Sequence, residues 1–200
     1  MAHRTENGSL VAVFDVSLDA SGCLSSYRRL SDGEVGEGVT WYVYSETPHP
    51  STWFNNQTYV NTLDPKAIDR FVELTYGGYK NAVGEDFGKT VPAIFTDEPQ
   101  FTRKSTLPFP ESRVDVVLPY TDDLEQTYRA AYGESLIDRL PELLWELPEG
   151  CSLTRYRYHD HIAERFASAF ADTCGSWCDA HGISLTLIIR KLKKKFPEEA

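Results

Sequence analysis

A short apolar run, Val91-Pro92-Ala93-Ile94-Phe95-Thr96, is closed abruptly by Asp97-Glu98-Pro99, and this segment constrains the fold more than any other. Six residues with no polar alternation read as a strand covered on both faces, the condition typical of parallel sheets. Such a strand delivers two carboxylates at its carboxyl end.

The segments around it supply the crossovers that a parallel sheet requires. Asp64 is placed as an N-cap with Pro65 at the first helical position. Ile68, Phe71, Val72, Thr75, Tyr76 and Tyr79 then recur on one face of a 3.6-residue period until Gly84 and Gly88 end the helix. After a proline-containing loop over 99–119, a helix begins near Thr121, with Asp122 and Glu125 in its first turn and Leu124, Tyr128 and Ala131 as its stripe. Leu136 to Trp145 makes a short helix interrupted at Pro141. A long one runs from about Tyr156 to His181, capped by Gly182. Ile183-Ser184-Leu185-Thr186-Leu187 resumes strand character.

Upstream, residues 9–19 read as a strand that stops at Ala20-Ser21-Gly22, and a glycine-rich hairpin follows between Tyr27 and Gly38. Val39 to Ser45 is a second strand, nearly continuous in apolar character and so expected to be buried on both faces and to end at Glu46. Strand, helix, strand, helices, strand is the βαβ alternation of an α/β fold with right-handed crossovers. The expectation is a partial (β/α)8 TIM-barrel-like fragment over 39–187, preceded by an N-terminal β-hairpin region over 1–38 and followed by a basic tail over 188–200. Parallel architectures place chemistry at the carboxyl ends of strands, which would set Glu46, Asp97 and Glu98 on one face. The loop 47–63, with Trp53 and Phe54, would adjoin it.

A carboxylic acid held neutral beside one held ionised is the working pair of most glycosidases. Glu98 is the expected acid, Asp97 the group that orients it or raises its pKa, and Glu46 the candidate second carboxylate. All three are equally readable as solvated strand-end residues. Trp53, Phe54 and Tyr59 could stack on sugar rings while Asn55, Asn56 and Gln57 meet hydroxyls, a mixture suited to a neutral polar ligand. Trp41 fits either such a pocket or the core.

Other chemistries lack their handles. Cys174, Cys178 and His181 share a helical face, but the cysteines follow the apolar stripe, so packing is expected rather than a metal, and His159-Asp160-His161 reads likewise. There is no metalloprotease, Walker, dinucleotide or Gly-x-Ser-x-Gly pattern, and no cofactor is expected.

Charge narrows the partners. The chain carries 20 basic and 30 acidic side chains, yet residues 1–189 hold only 15 of the basic ones against 28 acidic. An acidic body repels phosphate backbones, so nucleic acid is not an expected partner. With no apolar run of ~18 residues and no apolar segment near Met1, neither a membrane span nor a secretory signal is read, and the chain as given is expected to be cytoplasmic. Its four cysteines are then expected to be thiols. The sequons at Asn7 and Asn56 would be unused without export.

Trp53-Phe54-Asn55-Asn56-Gln57-Thr58-Tyr59-Val60-Asn61-Thr62-Leu63-Asp64-Pro65, then Phe71 to Tyr79, then Phe87-Gly88-Lys89 leading into Ile94-Phe95-Thr96-Asp97-Glu98-Pro99, resembles the catalytic region of family 106 glycoside hydrolases, the α-L-rhamnosidase-like proteins. Looser matches follow at Leu118-Pro119-Tyr120, at Tyr132-Gly133 and from Trp177 to Thr186, so that the resemblance spans roughly residues 40–186. It implies a large, often exported, barrel-built parent that cleaves rhamnosyl or related linkages, with a carbohydrate substrate and Glu98 in a catalytic role. Where such proteins lead one to expect a Gly-His pair and further strands after Leu185-Thr186, this chain reads Leu187-Ile188-Ile189-Arg190-Lys191-Leu192-Lys193-Lys194-Lys195. The expected product is a truncated barrel whose unpaired edges favour self-association, inactive alone or retained as a non-catalytic carbohydrate-binding remnant.

Overall fold

The computed structural model describes residues 8–101 and 104–188; the basic tail beyond Ile188 lies outside them. Two sheets are present. The first is antiparallel, in the order β2-β1-β3, from β1 (Gly8–Leu18), β2 (Leu24–Arg29) and β3 (Val39–Glu46). The second is a parallel pair, β4 (Ala93–Asp97) and β5 (Ser184–Ile188), and no third strand joins it among the described residues.

This corrects the barrel expectation. The strand over 39–46 does not open a parallel sheet; it pairs antiparallel with β1, Trp41 opposite Phe14 and Glu46 opposite Gly8. Among the described residues only β4 and β5 are parallel strands, and these residues neither close a barrel nor form a barrel fragment. The cause lies in the glycine segment before β3. The chain leaves β2 at one edge of β1 and must cross to the other edge, and it does so in close contact with β1. A Cβ on Gly38 would stand 2.4 Å from the Val16 carbonyl oxygen, and one on Gly36 would stand 2.3 Å from the Asp15 carboxyl carbon. The Asp15 carboxylate accepts from the backbone N–H groups of Glu37 (3.1 Å) and Gly38 (2.8 Å), which fixes the crossing. Gly36 and Gly38 are thus there for close approach, whereas Gly33, at φ +76° with nothing within 4 Å, serves the turn itself. The continuous apolar run of β3 also resolves into alternation, with Trp41 and Val43 half-buried and Thr40 and Tyr42 exposed, as one-sided packing of an edge strand requires.

The described residues then form four α-helices: α1 (Pro65–Val83), α2 (Leu124–Tyr132), α3 (Leu153–Phe166) and α4 (Thr173–Ala180). In α1 the Asp64 carboxylate accepts from the Lys66 N–H at 3.0 Å, and Ile68, Val72 and Tyr76 form the buried face. Between α3 and α4 the chain makes a π-helical turn, Ala167–Asp172. Tyr158, Ile162, Phe166, Phe170, Cys174 and Cys178 are spaced by four throughout, and in a 3.6-residue helix such a row drifts by about 40° per step. The wider turn offsets that drift, so one continuous spine serves two cores.

The first of those cores joins Leu63, Leu124, Tyr128, Leu136, Leu143, Tyr158 and Ile162; the second joins α1 to Phe170, Cys174, Cys178 and Ile183. A third core backs the antiparallel sheet with Ala12, Phe14, Val16, Leu24 and Trp145. Both Cys174 and Cys178 are fully buried packing residues, and burial raises the pKa of each thiol. His161 is buried as well. Its Nε2 lies 2.9 Å from Thr127 Oγ1 and its Nδ1 has no partner; burial first, then Arg165, depresses its pKa.

The sheet, a 3-10 turn over Ile137–Leu143 and the start of α3 are joined by one buried carboxylate, Glu142. It accepts from Tyr27 Oη at 2.5 Å, from the hydroxyl of Ser152 and from Arg139 Nη1 at 3.3 Å. Ser152 is itself the N-cap of α3, accepting from the Thr154 N–H at 3.0 Å.

Candidate functional site

The residues singled out from sequence fall on β4 and on the loop that precedes α1. Along β4, Ile94 packs into the second core and Thr96 lies 3.3 Å from Tyr76 Oη. Alternation therefore sends Phe95 and Asp97 to the opposite, bare face, where Phe95 is 56% exposed. The strand ends at Asp97, and the next residue breaks the pattern: Glu98 is exposed and has φ 41°. Pro99 disfavours the right-handed helical region for the residue before it. A left-handed glutamate still costs on the order of 1–2 kcal/mol.

Three non-glycine residues have positive φ among the described residues: Glu98, Asn55 (54°) and Asn56 (58°). All three lie in the two candidate segments. The asparagines are at home there, because a short side-chain amide supports that conformation locally. They turn a compact loop closed by Ser51 N–H to Gln57 O (3.1 Å) and Asn56 N–H to Ser51 O (2.9 Å). The Ser51 hydroxyl accepts from the Trp53 N–H at 3.2 Å, and Trp53 projects from the loop with 87% of its surface exposed.

The loop is tied to the end of β4. Phe54 packs on Tyr59, ring centroids 4.8 Å apart, and Tyr59 Oη accepts from the Gln100 N–H at 3.4 Å. Thr62 Oγ1 donates to the Gln100 carbonyl at 2.8 Å. Phe54 and Tyr59 are thereby held beside the segment that carries Glu98, with Trp53 and Asn55 on the same loop. The clasping residues Thr62 and Gln100 had no sequence signal, since a bond between positions 38 apart leaves none.

Glu46 is not part of this grouping on one sheet edge. It terminates β3 in the antiparallel sheet, whereas Asp97 terminates β4 in the parallel one and Glu98 follows it. The carboxylates expected on a common face are therefore divided between sheets, and Asp97 and Glu98 alone share a strand end. Trp41 packs edge-on against the buried Trp145, centroids 4.9 Å apart, on the inner side of its sheet.

Among the described residues no helix is long and apolar enough to cross a membrane, and no group of three or more His, Cys, Asp or Glu side chains is gathered in a way that could hold a metal. No family model matches the chain, and no curated protein or solved structure matches it.

Proposed function

We propose that this chain carries a glycosidic-bond-hydrolysing site of the α-L-rhamnosidase-like kind, with Glu98 as the acid that protonates the leaving oxygen. The observation that carries the reading is the left-handed backbone of Glu98 at the carboxyl end of a parallel strand. A glutamate held there is turned out of the strand's alternation into solvent, and strain of this kind gathers where a side chain is being aimed. The aromatic loop clasped to Gln100 supports the same reading, because stacking faces beside a carboxyl group are what a sugar ring requires. Asp97, one residue back at the same strand end, is the group that would orient Glu98. The resemblance over residues 53–99 supplies the sugar.

Turnover of aryl α-L-rhamnosides by the full chain and by Glu98→Gln tests it. Hydrolysis by the parent chain that is lost in the variant is the expected result, and equal turnover in both removes Glu98 as the acid.

A second reading, a carbohydrate-binding module without hydrolysis, is favoured by the exposure of Trp53 on its loop. In that case Trp53→Ala weakens sugar binding in calorimetry roughly tenfold, the effect of one lost stacking face, while no rhamnoside is cleaved. Sugar binding unchanged by Trp53→Ala would sink this alternative.

A further inference from the structure

A concave site lies on the antiparallel sheet, apart from Glu98 and its loop. It is a half-open cleft of about 340 Å³ between the ends of β1 and β3 and the strap over 109–113. Its walls are apolar, with Trp41 and Trp145 meeting edge to face, and with Leu18, Val39 and Pro110 beside them. The volume suits one ring-sized ligand rather than a chain.

The strap is fixed in place before any ligand arrives. Trp145 Nε1 donates to the Pro110 carbonyl at 2.8 Å. Ser112 is buried, its hydroxyl accepting from the Phe109 N–H at 3.2 Å and its own N–H donating to the Phe109 carbonyl at 3.0 Å. Pro110 sits on the hairpin turn at Gly22, where a Cβ would meet its ring at 2.8 Å and where φ is +81°. Gly38, on the opposite wall, has no room for a side chain either.

Two charged side chains flank Ser112 on the strap, Glu111 and Arg113. Both are exposed, both line the cleft, and neither makes a hydrogen bond or ion pair among the described residues. Elsewhere on this surface arginines are engaged: Arg28 with Glu34, Arg29 with Asp138, Arg139 with Glu134 and Arg155 with Glu146. An apolar slot with one free cation and one free anion at its mouth is complementary to a compact aromatic group bearing both charges. A sugar fits it less well, because the indole N–H is already given to the Pro110 carbonyl and no amide side chain lines the walls.

We infer that this cleft binds a free aromatic α-amino acid, its ring against Trp41 and Trp145, its carboxylate on Arg113 and its ammonium on Glu111. L-Phenylalanine is the probe, followed by tryptophan emission and calorimetry on the full chain, with 3-phenylpropionate lacking the ammonium and L-phenylalaninamide lacking the carboxylate. The expected result is saturable binding of phenylalanine, with each analogue about tenfold weaker and Arg113→Ala about tenfold weaker for phenylalanine. Glu111→Gln should lower the affinity for phenylalanine and leave that for 3-phenylpropionate unchanged. Both substitutions are at exposed positions, so an unaltered far-ultraviolet spectrum confirms that the fold is kept. Absence of phenylalanine binding at millimolar concentration, equal affinity for 3-phenylpropionate, unchanged affinity in Arg113→Ala, or displacement of phenylalanine by L-rhamnose would each overturn the assignment.

Discussion

Glu142→Ala is expected to lower the unfolding free energy by roughly 2–4 kcal/mol, because a buried carboxylate is removed while its donors remain. Tyr27 and Ser152 both direct hydroxyls at it, and an alanine leaves them aimed at an apolar methyl group. Ser152 is also the N-cap of α3, so the loss reaches the first turn of that helix, whose positive end the carboxylate complements. Urea unfolding reads the change as a lower midpoint, and an unshifted midpoint contradicts the role given to Glu142.

The same residue sets an acid limb. Burial pushes the Glu142 pKa up, but the hydrogen bonds from Ser152, Tyr27 and Thr154, with Arg139 nearby, outweigh it, and the pKa lies below its ordinary value of 4.5. A depressed pKa means that the unfolded chain takes up the proton first on acidification. The stabilisation is therefore complete above pH 4.5 and is lost as pH falls through the folded value. Glu142→Gln should flatten this part of the stability profile, since the amide does not titrate.

Ile68→Ala is expected to cost about 2–5 kcal/mol, the range for emptying a fully packed aliphatic site. Ile68 is 0% exposed and meets the second core, where α1 lies against Phe170, Cys174 and Cys178. Leu74, on the opposite side of the same helix, is 60% exposed, and Leu74→Ala should change stability by less than about 0.5 kcal/mol. Comparable losses from both substitutions would mean that α1 does not pack by the face described.

That face was readable in advance, because a helix start at Asp64-Pro65 and a 3.6-residue stripe are local signals. The strand character of residues 91–96 and 183–187, and the parallel relation between them, also followed from a helix-bearing crossover that permits little else. What could not be read was the partner of β3. A strand rich in aromatic and β-branched residues presents the same sequence whether it joins a parallel sheet or turns back on β1, and the deciding contacts, Gly38 on Val16 and Asp15 on the crossing backbone, are of the non-local kind. The site divides the same way. Glu98, Trp53, Phe54 and Tyr59 were visible as residue types, whereas the left-handed turn at Glu98 and the Tyr59–Gln100 clasp belong to the folded chain alone. The expectation that set Glu46 on one face with Asp97 rested on the barrel, and β3 belongs instead to the antiparallel sheet.

The two-strand parallel pair has a bearing on behaviour in solution. In β1 both flanks are occupied by neighbouring strands, so its amides can open only when much of the sheet opens with them. Each of β4 and β5 has one such neighbour, and Phe95 stands uncovered above them. Hydrogen exchange should accordingly run faster in β4 and β5 than in β1. The strand end that carries Asp97 and Glu98 is thus less firmly tethered than β1, and a ligand seated there has order to add as well as contacts to make.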